Sequence, residues 1–484
     1  MEDTSYAVEK PGPIPALRIV LLFNDTSVVE RGNPSDALPD ADLNSHQEIV
    51  HALESRGHTV SALGIHYENL HLLDTLCADF VLNLCDGTGL DGHPGLEVVA
   101  ALERRGLPFS GASSGFYFTS SGKWRTKRRL ATARVPAPFG LLLPSPDVPL
   151  HGALKFPLFV KPRDAYGSLG VDEASLVHNE DELRARVAYV VETFGTDALV
   201  EEYIAGREIA VALIGGGDKA IALPPLEVTF GKAYDGKPKI RSYATKHDTT
   251  SDYYRDFGIV CPAELDAETD KRVRQVALQA YRALGGDGYG RVDFRLSADG
   301  TPYVLEVNAN CSLEEGESPE DCGLFPLICR AVGWDSADMY QALIHSGLER
   351  PSPVTKAPLA MRWHQGRTTA HALYDVALGE RLLPFGPVYP AKSIHTLGSF
   401  TTVDGKPVLV EPHVRHLDHA PDPNLIPIRD GTTLWLEAAR PIQAGELLTI
   451  DRRAPLDLPH PVTRPRPVGR MASSTRRRDR TLQP

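Results

Sequence analysis

The stretch Gly290-Arg291-Val292-Asp293-Phe294, followed after a short gap by Tyr303-Val304-Leu305-Glu306-Val307-Asn308, alternates polar and apolar side chains. A period of two marks strands, so Arg291 and Asp293 share one face, and Glu306 and Asn308 share one face of the next strand. Ala298-Asp299-Gly300 between them reads as a hairpin loop, which lets the two faces coincide. Two carboxylates and one amide oxygen then form a hard, all-oxygen set suited to magnesium already bound to phosphates. Burying that set beside Val292, Phe294, Leu305 and Val307 is costly without a cation. Plain surface acids are the competing reading.

Three more segments make sense with this one. Phe156-Pro157-Leu158-Phe159-Val160-Lys161-Pro162 is followed by Gly167-Ser168-Leu169-Gly170. A lysine leaving a strand, ahead of a small loop, can hold phosphates through one point charge and several backbone amides. In Leu199-Val200-Glu201-Glu202-Tyr203-Ile204-Ala205-Gly206-Arg207-Glu208, a strand edge can read adenine through main-chain groups, and the last carboxylate can bond ribose hydroxyls. Solvated acids would look the same there. Lys123 and Lys246 add cations in segments able to close over a polyphosphate.

Outward from these motifs, the chain opens as a small α/β unit. Ala16–Phe23 and Phe80–Leu84 read as apolar strands, with helices around His46–Arg56 and Gly95–Arg105, a short strand at Pro108-Phe109, and a parallel sheet expected. A basic helix over Lys123–Ala133 follows. Strands are expected at Ala198–Tyr203, Glu208–Leu213, Arg291–Leu296 and Tyr303–Val307. A long helix, Ala267–Leu284, carries Val273, Val276, Ala277, Ala280, Tyr281 and Leu284 as one stripe. Gly347, Pro351, Pro353 and Pro358 mark a linker before a β-rich segment with turns at Asp404-Gly405 and Asp430-Gly431. The expected division is an extension (1–16), an N-terminal α/β domain (17–121), an α+β nucleotide-binding domain (122–347), a linker (348–358), a β-rich domain (359–455) and a basic disordered tail (456–484).

At 484 residues the chain is too long for one ordinary core. Its net charge of −12 is uneven: residues 461–484 hold seven arginines and one aspartate, leaving −18 for the rest. An acidic body argues against nucleic-acid binding, which needs a basic surface. No run approaches the ~20 apolar residues of a membrane helix, and residues 1–15 contain no apolar signal core. The six scattered cysteines form no C-x-x-C pair and fit reduced thiols in a cytoplasmic enzyme.

From about Arg18 to Gly347 the chain resembles the ATP-grasp enzymes, and among them the D-alanine–D-alanine ligases. The resemblance is carried by Asn83-Leu84, Asp91-Gly92, Lys123, Phe159-Val160-Lys161-Pro162, Gly167-Ser168-Leu169-Gly170, Val200-Glu201, Gly206-Arg207-Glu208, Gly290-Arg291-Val292-Asp293-Phe294 and Leu305-Glu306-Val307-Asn308. It implies that Lys123 and Lys161 contact ATP, that Ser168 lies in the loop over the γ-phosphate, and that Glu201 and Ile204 sit at adenine. It further implies Glu208 at ribose, Lys246 at phosphate, two magnesium ions on Asp293, Glu306 and Asn308, and Arg291 facing the transition-state oxygen. The implied reaction phosphorylates a carboxylate; an amine then attacks the acylphosphate to give an amide. The implied partners are small amino acids or peptides, and a homodimer is left open.

The substrate ends depart from the family. Its histidine-glycine pair reads Asp86-Gly87, and its proline-glycine-methionine stretch reads Ala309-Asn310-Cys311-Ser312-Leu313. Glu30, Asp36, Asp40 and Asp42 are the candidates for its first acidic residue, and Ser318 for its substrate serine. A substrate other than D-alanine is therefore expected.

Asp375–Glu380, His416–Asn424 and Arg440–Asp451 resemble a SET domain, a β-rich fold that binds S-adenosylmethionine in lysine methyltransferases. The family's asparagine-histidine-serine-cysteine run reads Asp418-His419-Ala420-Pro421, its first glycine-x-glycine is at best Gly366-Arg367-Thr368, and its catalytic tyrosine is Arg452, a permanent cation with no hydroxyl. A SET-like fold without ordinary methyl transfer is expected, and S-adenosylmethionine binding is doubtful. His413, His416 and His419 are spaced by three, but Pro412 argues for loop, not helix, and against zinc. Two alternatives stay open: a methyltransferase with an accessory ATP-grasp part, and a non-catalytic binding protein.

Overall fold

The computed structural model describes residues 8–26, 45–88, 92–148, 154–163, 167–248, 250–254, 256–316, 322–350, 356–364, 367–387, 400–403, 406–409, 414, 416–430 and 433–451. Glu30, Asp36, Asp40, Asp42, Asp91, Ser318, Gly366, Asp404, Gly405, Pro412, His413, Gly431, Arg452 and the basic tail lie outside the described residues.

The N-terminal sheet has β1 (Arg18–Asn24) in the middle, parallel to β2 (Thr59–Ile65) and to β3 (Phe80–Asn83). Both faces of β1 are covered, as a parallel sheet requires. Ile19 and Leu21 pack with Ile49 and Leu53 of α1 (Ser45–Glu54), while Val20 and Leu22 pack with Val98 and Val99 of α2 (Leu96–Arg105). Helix α2 stops at Gly106, whose φ of 64° is the left-handed cap that glycine tolerates best. Pro108-Phe109 makes a single bridge to Val81 in place of a strand.

Helices α3 (Ser114–Ser121) and α4 (Lys123–Thr132) lead into two antiparallel sheets. The smaller holds β4 (Gly140–Leu143), β5 (Leu158–Pro162), β6 (Leu176–Val177) and β7 (Ala198–Glu202) in the order β4-β7-β5-β6, with α5 (Glu180–Phe194) packed on it. The larger is built from β8 (Arg207–Ile214), β9 (Ile221–Ala222), β10 (Leu226–Phe230), β11 (Phe257–Val260), β12 (Tyr289–Leu296) and β13 (Pro302–Ala309). Its order is β11-β10-β8-β12-β13, with β9 beside β8.

The decisive hairpin forms as the alternation predicts. β12 and β13 pair antiparallel, with Arg291 opposite Asn308 and Asp293 opposite Glu306; a bulge follows Asp293. Asp299 closes the turn by accepting from Thr301 N at 3.0 Å, and Gly300 takes φ +77°. On the reverse face, Val292, Phe294, Val304 and Val307 are buried with Val273, Val276, Ala277, Ala280 and Tyr281 of α7 (Ala267–Ala283). The apolar stripe of α7 therefore holds the polar face of the hairpin outward, toward a cleft.

After α6 (Tyr243–His247), α8 (Leu324–Ala331) and α9 (Ser336–Leu348), the chain becomes β-rich. β14 (Leu359–His364) pairs with β15 (Arg367–Ala372); β16 (Arg381–Pro387), β20 (Leu425–Asp430) and β21 (Thr433–Ala438) form a sheet ordered β16-β21-β20. β17 (Phe400–Val403) pairs with β18 (Lys406–Leu409), and β19 (Asp418–His419) runs parallel to β22 (Thr449–Ile450). This unit docks on the N-terminal one: Arg104 donates to Leu373 O at 2.7 Å, Ala357 N to Ser114 Oγ at 3.0 Å, and the Tyr374 hydroxyl to the Glu103 carboxylate. No helix among the described residues is long and apolar enough to cross a membrane.

Truncating a buried aromatic removes its transfer energy and leaves a cavity. Phe294→Ala, at a fully enclosed position behind Asp293, is expected to destabilise the protein by about 3–5 kcal/mol, read from urea unfolding. A loss below about 1 kcal/mol would contradict the packing of α7 on the hairpin.

Candidate functional site

One cleft lies between the two antiparallel sheets, and the residues expected at nucleotide and metal all line it: Lys123, Lys161, Ser168, Glu201, Ile204, Glu208, Lys246, Arg291, Asp293, Glu306 and Asn308. They come from segments far apart in the chain, so the fold gathers what the sequence only suggests.

Lys123 opens α4 at a corner that α4 itself builds. Arg125 Nε donates to Phe118 O at 3.0 Å, and Thr126 Oγ1 to Thr119 O at 3.1 Å. These bonds occupy carbonyls that the end of α3 would otherwise leave unsatisfied, and so fix the turn. One helical turn on, Lys127 reaches the same region. Its Nζ lies 2.7 Å from Glu201 Oε2, while Lys161 Nζ lies 2.7 Å from Glu201 Oε1. The Glu201 side chain is only 3% exposed, and burial alone would raise its carboxyl; the two ammonium groups outweigh burial and hold it below its ordinary value. Glu201 thus sets the lysines, a task its expected place at adenine did not suggest. Lys127 is not among the residues that the sequence singles out, although its four-residue spacing from Lys123 places both on one helix face.

Glu208 is fixed from β12. Arg295 Nη2 lies 3.1 Å from Glu208 Oε2, and Arg295 Nη1 donates to Gly206 O at 3.1 Å. Gly206 has φ +155°, and a Cβ there would fall 2.0 Å from Leu296 O, so the turn before Glu208 needs glycine. Ser168, with φ +66°, donates from Oγ to Arg241 O at 2.9 Å and so ties the small loop to the opposite wall.

At the floor, Arg291 grips Asp293 with two bonds, Nε to Oδ1 at 2.7 Å and Nη2 to Oδ2 at 2.8 Å. Asn308 Nδ2 donates to Asp293 Oδ2 at 2.8 Å and reaches Glu306 Oε1 at 3.5 Å. Burial opposes the charge on Glu306, yet Lys123, Lys161, Lys246 and Arg291 overcome it and hold the carboxyl at about 2. Two carboxylates and an amide that can turn its Oδ1 inward fit magnesium held together with phosphate oxygens. Burial, then the neighbouring Arg241, lowers the Lys246 ammonium to about 8. A cleft so rich in cations, with a hard-oxygen floor, suits a polyanion carried with divalent metal.

A family model described as "D-ala D-ala ligase C-terminus" matches residues 148–345. The D-alanine–D-alanine ligase of Cupriavidus taiwanensis is 32% identical over 294 residues, which cover 60% of this chain and 82% of that protein. That of Desulforudis audaxviator is 29% identical over 317 residues, covering 64% of this chain and 95% of that protein. Among solved structures, the D-alanine–D-alanine ligase of Bacillus anthracis complexed with ATP superposes with a TM-score of 0.51 at 22% identity, covering 69% of this chain and 98% of that one, a likeness of fold.

Glu201→Gln keeps the shape but leaves Lys127 and Lys161 buried against a neutral partner. Breaking a buried pair from one side costs about 3–5 kcal/mol, and a loss of that size is expected in chemical denaturation. Wild-type stability in this variant would show that the lysines find other counter-charges.

Proposed function

Because the chain belongs to the D-alanine–D-alanine ligase family and is an ATP-dependent ligase that forms C–N bonds, we propose that it joins a small carboxylic acid and an amine, amino acids or peptides, through an acylphosphate. The observation that carries this reading is the convergence of Lys123, Lys161, Lys246 and Arg291 on the ionised Glu306 at the floor of one cleft. In this reading Lys123, Lys161 and Lys246 bind the phosphates, Ser168 anchors the loop above them, and Ile204 and the edge of β7 hold adenine. Glu201 orients Lys161, and Glu208 bonds the ribose. Asp293, Glu306 and Asn308 hold magnesium, which when bound neutralises and aligns phosphate oxygens. Arg291, locked on Asp293, stabilises negative charge developing on the acyl oxygen. No protein nucleophile is needed; the side chains position the reactants and balance charge.

The substrate is proposed to differ from D-alanine, because the acceptor end is furnished differently. Asn310 is buried at φ +51°, accepts from Ala112 N at 2.7 Å, and fills the space above Gly111. Cys311, enclosed next to Arg291, has its thiol pushed up to about 12 by burial, so it is a neutral wall, not a nucleophile.

The β-rich segment is proposed to be a SET-like appendage. The parallel pairing of Asp418-His419 with Thr449-Ile450 brings two of the three SET-resembling stretches together, and Asn424 bonds Thr449 N and Leu447 O at 2.8 Å each. Its docking on Glu103 and Ser114 makes it part of the ligase body.

ADP release with ATP and magnesium, screened over pools of amino acids and small peptides with mass spectrometry of the products, tests the reading. Release that depends on one acid and one amine, with their amide formed, is expected. Glu306→Ala and Lys161→Ala should abolish it while the chain stays folded; near-wild-type turnover in either would refute the site assignment. A pH effect is also expected. Below pH 8 Lys246 is a cation facing the phosphates, and as pH rises through 8 the empty cleft loses that charge, whereas bound polyphosphate restores the lysine toward its ordinary pKa. The affinity for MgATP should therefore fall about tenfold from pH 7 to pH 9, and Lys246→Met should flatten that dependence. A pH-independent affinity in the wild type would contradict it.

A further inference from the structure

Three guanidinium groups line the cleft, and two already have partners: Arg291 is locked on Asp293, and Arg295 on Glu208. The third, Arg241, pairs with no carboxylate among the described residues. Its Nε is wholly enclosed and has no hydrogen-bond acceptor. A shielded guanidinium with no carboxylate in direct contact is expensive, and burial lowers its pKa accordingly.

The backbone around Arg241 is built to hold it in place. Its carbonyl accepts from Ser168 Oγ at 2.9 Å, and two residues later Tyr243 N donates to Val171 O at 3.1 Å, so both ties run to the small loop of the opposite lobe. The guanidinium carbon sits 5.1 Å from the centre of the Phe257 ring, which supports its apolar plane. It feels the charges of Glu208, Arg291 and Asp293. On the reading above, these residues serve the ribose end and the metal end of the nucleotide.

We propose that Arg241 is a further anion-binding residue of this cleft and contacts the polyphosphate chain of ATP. The inference rests on the nucleotide reading of the cleft. A planar donor fork suits phosphate oxygens, and the Ser168 tie holds the Arg241 backbone against the loop expected over the γ-phosphate. A carboxylate of the acid substrate is the competing occupant. Its tie to the loop and its electrostatic coupling to both Glu208 and Asp293 favour phosphate.

The test is equilibrium calorimetry of the full chain with MgATP and, separately, with adenosine, without any acid or amine. Arg241→Gln is expected to weaken MgATP binding about tenfold to hundredfold, as for loss of one charge-assisted hydrogen bond, and to leave adenosine binding within twofold. Arg241→Lys should recover part of the loss. Undiminished MgATP affinity in Arg241→Gln, or an equal loss for MgATP and adenosine, would overturn the assignment. Unchanged MgATP affinity with a raised KM for the acid would do so too, and would give Arg241 to the acid substrate. If the wild-type chain binds no MgATP, the ligase reading falls first and this inference with it.

Discussion

The register of one hairpin governs the cleft. With Asp293 opposite Glu306 and Arg291 opposite Asn308, three oxygen donors and a guanidinium share a single face, while Val292, Phe294 and Val307 fill the other. A slip of one residue would exchange those faces and bury the acids against α7. Apolar packing behind the sheet therefore enforces the polar arrangement in front of it. The cations then keep Glu306 ionised despite its burial, so the floor is negative and the walls are positive before any ligand arrives.

The same economy appears in the walls. Glu201 holds two lysines at 2.7 Å each, and Arg295 holds both Glu208 and the glycine turn that precedes it. Such cross-bracing fixes long side chains in one geometry ahead of binding, which limits what must be ordered when reactants enter. The C-terminal unit meets this body at Glu103, Arg104 and Ser114, and Phe118 of α3 packs against its core. α3 ends at the corner that carries Lys123, so the appended unit stands one short helix away from the phosphate side of the cleft.

Much of this was legible in the sequence wherever a short-range pattern carried it. Period two gave the paired faces of Arg291, Asp293, Glu306 and Asn308, and the stripe of α7 was read from its helical spacing. Lys161 and Ser168 stood in a strand-then-loop pattern. What escaped depends on long-range pairing. Glu201 was legible as a carboxylate at the cleft, but its grip on Lys127 and Lys161 joins three elements and leaves no local trace. Arg241 lies in an irregular loop with no periodicity, and its meaning comes from distant partners such as Ser168, 73 residues away. The departures at Asp86 and at Ala309-Asn310-Cys311 were visible as letters, yet only the fold shows Asn310 bonded to Ala112 N and filling the space above Gly111.

The central claim is that this cleft phosphorylates a carboxylate before an amine displaces phosphate. The most direct measurement uses the acid that supports ADP release, labelled with oxygen-18 in its carboxyl group, and follows the label in the phosphate formed. An acylphosphate route leaves one carboxyl oxygen on phosphorus when the amine attacks, so labelled phosphate should appear in step with the amide. Amide formation with wholly unlabelled phosphate would contradict the account.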